Sequence, residues 1–220
     1  TEPEVRYFTG FRSLFWQSPT RPWFVVIPKN GKPIAIIPDI GRDLMARTWI
    51  DDIRTWPSPR REDEGISLLV EVLEREKNIG ILMGKEASLR MPLEDFEKLR
   101  SKIDGTFSDC SKIIKKVRLI KSEKEILILK NICSVANRSF DRANRLFFSG
   151  QPLNEAFREF KITLLEEGAE EVPYLVGGAG RDGYVDVISP PSSKPLENGD
   201  ILMLDTGSTL KGYFCDFDRN

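Results

Sequence analysis

Two aspartates, Asp205 and Asp216, have the residue type and the setting that metal or acid–base chemistry requires. The four apolar residues Ile201–Leu204 precede Asp205 and predict a buried strand that brings a carboxylate to its open end. The aromatic-rich run Tyr213–Phe217 contains Asp216 and predicts the partner strand. The sequence therefore predicts two carboxylates on neighbouring strands of one sheet.

The link between these strands predicts the register of the two acids. We expect a hairpin centred on Leu210 and Lys211, in which Gly212 closes a type I turn and Asp205 lies directly opposite Asp216. Such cross-strand neighbours have Cβ atoms roughly 4.5–5.5 Å apart, so two like charges need a proton, a base or a metal between them. Two metal ions about 3.5–4 Å apart would fit, one chelated and one bridged by carboxylate.

The composition excludes several classes of protein. The chain has 220 residues, of which 40% are hydrophobic and 30% charged, as in globular proteins. Its net charge of −1 argues against nucleic acid or an anionic membrane as a partner. We find no apolar run of about 18 residues and no export signal. Three cysteines without metal-site spacing favour a reducing cytoplasm. The absence of an initial Met and the end inside a predicted strand are typical of a fragment.

The acidic stretch resembles the creatinase, prolidase and methionine aminopeptidase family of pita-bread metallohydrolases. The matching residues are Asp205-Thr-Gly207, Gly212-Tyr213, Asp216 and Arg219, and the second aspartate follows the first by eleven positions, as in the family. The run Tyr7–Phe11 resembles the opening of the N-terminal domain of longer members. Arg118–Ser122, with Glu125, resembles the start of their catalytic domain.

This resemblance implies a fold and an activity. Residues 1–116 would form a creatinase-type α/β domain with a mixed sheet. Residues 117–220 would form the first part of an α+β pita-bread catalytic domain. The activity would be that of a dinuclear-metal hydrolase of the Xaa-Pro dipeptidase or aminopeptidase type, in which a metal-activated water attacks an amide bond. The resemblance further implies a peptide or small-amide substrate and a homodimer.

In the family pattern Asp205 chelates one divalent metal and Asp216 bridges two, and Mn, Zn and Co all suit carboxylate ligands. The other family ligands are one His and two Glu, and a Glu is the general base. We expect these ligands and the base beyond residue 220, because the chain contains no His. The 220-residue chain alone would then be inactive.

Four further residues are candidates for the site. Asp218 takes the place of a family Thr and would share a strand face with Asp216, so it could add a ligand or accept a hydrogen bond near the metals. Arg219, the next residue, is another candidate for a position beside the metal ligands. The resemblance also makes Tyr174 and Arg181 candidates for contacts to substrate.

Two alternatives keep the resemblance but change the function. Relatives usually carry a His about twelve residues before the pair Gly199-Asp200, and this chain has Ile188 near that place. This difference, together with Asp218, leaves open a creatinase-like hydrolase or another small-amide hydrolase. If the chain truly ends at residue 220, a non-catalytic binding or dimerisation module is the other alternative.

The N-terminal half predicts alternating strands and helices. We expect strands at 23–27, 33–37 and 79–83, helices at 66–73 and 92–103, and a hairpin turn at Asn30-Gly31. The four tryptophans favour core and interface packing over a ligand groove. The basic group Lys112, Lys115, Lys116 and Arg118 predicts a solvated linker between domains.

The C-terminal half predicts two helices before the strands. Ser122 and Glu125 form a capping-box pattern, and an apolar stripe continues to Phe147, which predicts a helix of about 25 residues ending near Gly150. The small residues in that stripe favour packing on a sheet over a coiled coil. We expect Asn154 to cap a second helix that runs to Gly168.

Three other motif interpretations are less favoured. The glycines at 178, 180 and 183 match a dinucleotide-binding pattern after a predicted strand at 172–176, but Tyr184–Ile188 predicts a strand where that motif requires a helix. Asp205-Thr206-Gly207 also occurs in aspartic proteases, which are essentially all-β, and the predicted helices argue against them. Two acids that merely end strands in exposed turns are the third interpretation.

Overall fold

A computed structural model describes residues 1–18 and 21–220, and the chain divides into two units, Thr1–Ile120 and Lys121–Asn220. The first unit contains α1 (Glu2–Thr9), β1 (Phe24–Val26), β2 (Ile34–Pro38), α2 (Arg42–Met45), β3 (Asp52–Trp56), α3 (Ile66–Leu73), β4 (Asn78–Ile81), α4 (Leu93–Ser101), β5 (Thr106–Asp109) and α5 (Ser111–Leu119). None of the helices in the described ranges has the length and hydropathy needed to cross a membrane.

The first unit is organised around the central strand β2. This strand pairs antiparallel with β1 and parallel with β3, so the sheet is mixed, as the sequence predicts. Successive residues of β2 point to opposite faces and enter two different cores. Ile36 packs with Trp56 and Ile66, whereas Ile37 packs with Trp23. β4 and β5 form a separate parallel pair.

Most predicted elements of this unit are present, within a few residues of the expected bounds. Strands β3 and β5 and helices α1 and α2 were not predicted. Trp23 and Trp56 are buried, as expected of core residues, but the side chain of Trp49 is 52% exposed. The basic group lies beside the unit boundary and its residues Lys112, Lys115 and Lys116 are exposed, as predicted, but the segment is helical and forms α5. Lys and Arg are good helix formers and no Gly or Pro interrupts the run, so the segment is helical.

The second unit contains α6 (Glu123–Asp141), α7 (Ala143–Leu146), α8 (Leu153–Glu166), β6 (Glu171–Gly180), β7 (Ile201–Leu210) and β8 (Tyr213–Arg219). The capping box at the start of α6 is confirmed. The Ser122 side chain accepts a hydrogen bond from the backbone N–H of Glu125, and the Glu125 carboxylate accepts one from the N–H of Ser122 at 2.7 Å.

The predicted length of α6 is wrong, but its predicted apolar face is confirmed in part, because Ala136 is buried and Cys133 and Phe140 pack against the core of this unit. The helix ends at Asp141, because the N–H of Arg142 bonds to the carbonyl of Ser139, three residues back, which tightens the last turn. The buried face carries Ile132, Val135, Ala136 and Ser139, whereas Ile126, the first residue of the predicted stripe, is 42% exposed.

The start of α8 also differs from the prediction. Its N-cap is Pro152, and Asn154 lies inside the first turn, where its backbone N–H donates to the carbonyl of Ser192. Gly168 follows the helix with a φ of 113°, a conformation that favours glycine, so the predicted end is confirmed. Phe157, Phe160 and Leu164 of α8 are buried in the core of this unit.

The sheet of this unit is antiparallel in the order β6-β7-β8. Lys211 and Gly212 form a two-residue turn in which both have positive φ, 49° and 77°. This is the type I′ pattern that matches the twist of hairpin strands, so Leu210 pairs with Tyr213. The predicted turn and register are therefore wrong, and Asp205 lies opposite Asp218 instead of Asp216.

The segment between β6 and β7 is irregular. Residues 181–200 contain no helix and no extended strand, so the strand predicted at Tyr184–Ile188 is wrong. The carboxylate of Asp186 accepts hydrogen bonds from the backbone N–H groups of Ile188 and Ser189, which fold this stretch into a turn. Because no helix follows the three glycines, they lack the setting of a dinucleotide-binding motif.

Candidate functional site

One face of the β6-β7-β8 sheet carries the core and the other carries the acids. Leu204 of β7 and Cys215 of β8 belong to the helix-packed core. Side chains alternate between the faces of a strand, so Asp205 and Asp216 lie on the face opposite those core residues. The two-residue change in register leaves this relation intact, because strands have a side-chain period of two.

Tyr174 of β6 brings the two carboxylates to one point. Its hydroxyl lies 3.1 Å from Asp205 Oδ1 and also makes a short contact with Asp216 Oδ1. One phenol oxygen is thus within hydrogen-bond distance of both predicted metal ligands. The family resemblance predicts a contact of Tyr174 with substrate; the spacing of residues along β6 alone does not reveal a cross-strand partner.

Gly207, the glycine of the Asp-Thr-Gly run, makes this contact possible. It is the register partner of both Tyr174 and Asp216, on either side of β7. A Cβ atom at Gly207 would lie 1.9 Å from the Phe214 ring and 2.6 Å from the Tyr174 ring. Only a residue without a side chain leaves room for these two rings above the strand.

The surroundings of Tyr174 keep its hydroxyl protonated. Burial, followed by the hydrogen bonds to Asp216 and Asp205, raises the pKa of the Tyr174 phenol above its ordinary value. A neutral phenol carries one proton, so with both carboxylates ionised it donates to one of them at a time. The arrangement leaves the pair of negative charges without full compensation, which favours a bound cation.

A shallow cavity of about 350 Å³ adjoins the two acids and is lined by Asp205, Asp216, Phe217, Asp218 and Arg219. Asp218 is exposed and lies directly opposite Asp205, so three carboxylates share this end of the sheet face. The Arg219 guanidinium lies over the rings of Phe140 and Phe217, with its carbon 5.8 and 5.4 Å from their centres. Arg219 therefore contacts aromatic rings of the unit, although it also lines the cavity.

Arg181 is not among the residues that contact the aspartates in the hydrogen bonds described above. Arg181 is exposed, just after β6, and its Nε lies 3.9 Å from the position that a Cβ on Gly199 would occupy. Ile188, at the place where relatives usually carry a His, is also exposed.

The donor set suits a divalent cation but supplies only part of its coordination. Carboxylate oxygens are ligands for Mn, Zn and Co, and two of them meet at the Tyr174 hydroxyl. Within residues 1–18 and 21–220, no three His, Cys, Asp or Glu side chains are arranged to hold a metal ion. Metal sites in proteins take four or more ligands, so the aspartates can provide part of a site.

Comparison with known proteins finds relatives in sequence and among solved structures. An Xaa-Pro dipeptidase from Pyrococcus horikoshii is 28% identical over 152 residues, which are 68% of this chain and 41% of that protein. The crystal structure of the prolidase from the same organism matches 100% of this chain and 58% of its own, with a TM-score of 0.80 and 22% identity. An X-Pro aminopeptidase from Thermotoga maritima matches 99% of this chain and 58% of its own, with a TM-score of 0.78 and 22% identity.

These structures share the fold of this chain, an N-terminal domain with a mixed sheet followed by part of a pita-bread domain. The chain spans less than two thirds of the length of these relatives. Residues 1–120, more than half of the chain, match the family described as the Creatinase/Prolidase N-terminal domain. The chain therefore belongs to the creatinase/prolidase family.

Proposed function

We propose that this chain is the N-terminal domain and the first part of the catalytic domain of a metal-dependent peptidase acting on Xaa-Pro bonds. The observation that carries the proposal is the convergence of Asp205 and Asp216 on one phenol oxygen, on the open face of a sheet. The similarity to Xaa-Pro dipeptidases and aminopeptidases supports the same substrate class. A substrate would thus be a short peptide with proline in its second position.

Asp205 and Asp216 would hold the metal ions in this proposal. Bound divalent metals supply a water of lowered pKa and polarise the scissile carbonyl. We propose two ions, of Mn, Zn or Co, because carboxylates accept each of them. The remaining ligands and the general base would come from the part of the relatives' length that this chain does not span.

Three other residues would influence the charge and the contacts of the site. Asp218, opposite Asp205, adds negative charge beside the ligands and can accept a hydrogen bond from a bound water. Arg219 lines the same cavity and would position Phe217 and the end of β8. Arg181, exposed at the end of β6, remains a proposed contact for the substrate.

The cellular compartment and the oligomeric state of the enzyme are also part of the proposal. All three cysteines are free thiols, which supports a reducing, cytoplasmic compartment. A homodimer is proposed from the family resemblance.

A second candidate is a creatinase-like hydrolase of a small amide on the same scaffold. The observation that favours it is Asp218, which faces Asp205 in the ladder and gives the cavity a third carboxylate. An acidic cavity of this kind suits a cationic guanidino substrate better than a neutral dipeptide.

Turnover by the purified protein separates the two candidates. The full-length protein that contains residues 1–220 is stripped of metal, reloaded with Mn²⁺, and assayed against a panel of Xaa-Pro dipeptides and against guanidino and cyclic amides. The proposal predicts hydrolysis of Xaa-Pro dipeptides and its loss in Asp216→Asn. Hydrolysis restricted to the small amides would support the second candidate, and no metal-dependent hydrolysis of either class would refute both.

A further inference from the structure

We propose that Tyr174 is a positioning residue for the metal site, which acts by holding the carboxylates of Asp205 and Asp216 in their ligand geometry. This role replaces the expected contact of Tyr174 with substrate. It rests on the proposed function, because it assigns the hydroxyl to the metal ligands of that same site.

The first argument is that the Tyr174 ring is fixed from two sides. It crosses β7 above Gly207, where there is no side chain to displace it. The Phe214 ring packs beside it, with ring centres 6.0 Å apart and an angle of 32° between the planes. A hydroxyl on a ring held in this way has a defined position, so it can orient a carboxylate that bonds to it.

The second argument comes from the contacts of the hydroxyl. Both contacts engage Oδ1, at 3.1 Å for Asp205 and at shorter range for Asp216. Each Oδ1 accepts the hydrogen bond through one lone pair, so both oxygens of each carboxylate can still bind a metal ion while the phenol restrains the orientation of the carboxylate. Hydrogen bonds to metal-ligating carboxylates hold their orientation, and loss of such a bond typically weakens metal affinity 10–100-fold.

The third argument concerns charge. Asp205 and Asp216 lie on one exposed sheet face, and neither takes part in an ion pair found within residues 1–18 and 21–220. Two carboxylates that repel each other would turn apart unless a donor or a cation lies between them. The Tyr174 hydroxyl is the donor that the structure places there, so the carboxylates are close together before a metal binds.

The variant Tyr174→Phe isolates the hydroxyl, because phenylalanine keeps the ring that packs over Gly207. Tyr184→Phe is the matched control. The hydroxyl of Tyr184 lies in the same unit and donates to Asn220 Oδ1 at 2.7 Å instead of to an aspartate. Both variants lose one phenol hydroxyl, but only the first loses a contact with the proposed ligands.

The test is calorimetric titration of Mn²⁺ into the metal-stripped full-length protein, which also carries the ligands that the proposed function places outside residues 1–220. We expect Tyr174→Phe to bind Mn²⁺ about 10–100-fold more weakly than the wild type, and Tyr184→Phe to bind it with wild-type affinity. Equal or tighter binding by Tyr174→Phe would overturn the inference and leave the proposed function intact. A wild type that binds no Mn²⁺ would instead overturn the proposed function, and this inference with it.

A spectroscopic measurement covers the case in which Tyr174→Phe does not fold. Mn²⁺ is added to metal-stripped full-length Tyr184→Phe protein, and the near-ultraviolet tyrosine difference spectrum is recorded. We expect a tyrosine band that saturates with the bound metal, because the hydrogen bonds of the Tyr174 hydroxyl change when its carboxylates take up a cation. Metal binding without any tyrosine signal would overturn the inference.

Discussion

Gly207 lies directly opposite Asp216 in the ladder between β7 and β8, and it is the residue over which Tyr174 reaches that aspartate. The glycine of the Asp-Thr-Gly run therefore serves the site by the space it leaves. Strand β8 supplies the carboxylate of Asp216, β7 supplies the space above Gly207, and β6 supplies the phenol of Tyr174. The antiparallel order of three strands is what brings these features together.

Substitution of Gly207 by alanine should destabilise the second unit. The added Cβ would lie 1.9 Å from Phe214 and 2.6 Å from Tyr174, so both rings must shift. Overpacking of this kind costs roughly 1–3 kcal/mol in unfolding free energy. Denaturant unfolding measures the cost, with Val185→Ala, at an exposed position of the same unit, as the control. Wild-type stability in Gly207→Ala would contradict the packing described for these rings.

Phe160→Ala should cause a larger loss of stability. Phe160 is fully buried on α8, and its ring lies 4.7 Å from that of Phe140 on α6 and 6.1 Å from that of Phe147. Removal of such a ring leaves a cavity and costs about 3–5 kcal/mol. Phe148→Ala is the matched control, because Phe148 is 64% exposed and its loss should change the unfolding midpoint little. Similar effects of the two substitutions would be inconsistent with this core.

The capping box predicts a pH dependence of stability. The backbone N–H of Ser122, its hydroxyl and the Tyr213 hydroxyl bond to Glu125 and together outweigh burial, so the pKa of this carboxyl is lowered. A lowered pKa in the folded state gives stability that is present above the unfolded pKa of about 4.3 and is lost as pH falls through the folded value. The side chain is partly exposed, so the effect should stay below about 1 kcal/mol.

Glu125→Gln tests this pH dependence, because glutamine can still cap the helix but does not ionise. We expect the wild type to be more stable than Glu125→Gln at neutral pH, and the difference to shrink as pH falls from the unfolded pKa through the lowered folded pKa. Urea unfolding from pH 3 to pH 7 measures both. Glu123→Gln, in the same first turn of α6, is the control. A constant difference across this range would show that ionisation of Glu125 does not contribute.

The sequence predicted the elements whose signals are local. The capping box at Ser122, the Asn30-Gly31 hairpin and the strand before Asp205 each depend on a few adjacent residues, and the structure contains all three. The mixed sheet also followed from alternating strands and helices. Strand β3 was missed because its run Asp52–Trp56 mixes charged and apolar residues without clear alternation.

The relations that were missed depend on pairing between distant segments. A turn at Lys211-Gly212 instead of Leu210-Lys211 shifts every partner in the hairpin by two residues, and both turns fit the same sequence. The face that places Asp205 with Asp216 was predictable, because it depends only on the period of two. The contact with Tyr174 was not, because it needs the register of β6 against β7.

The central claim is that Asp205 and Asp216 hold divalent metal, and the metal content of Asp216→Asn tests it most directly. Asparagine preserves the size of the side chain but removes the anionic ligand. Metal is measured by elemental mass spectrometry on purified full-length protein, as wild type, Asp216→Asn and the exposed control Asp182→Asn. The account predicts at least a roughly tenfold loss of bound Mn, Zn or Co in Asp216→Asn and wild-type content in the control. Unchanged metal content in Asp216→Asn would contradict it.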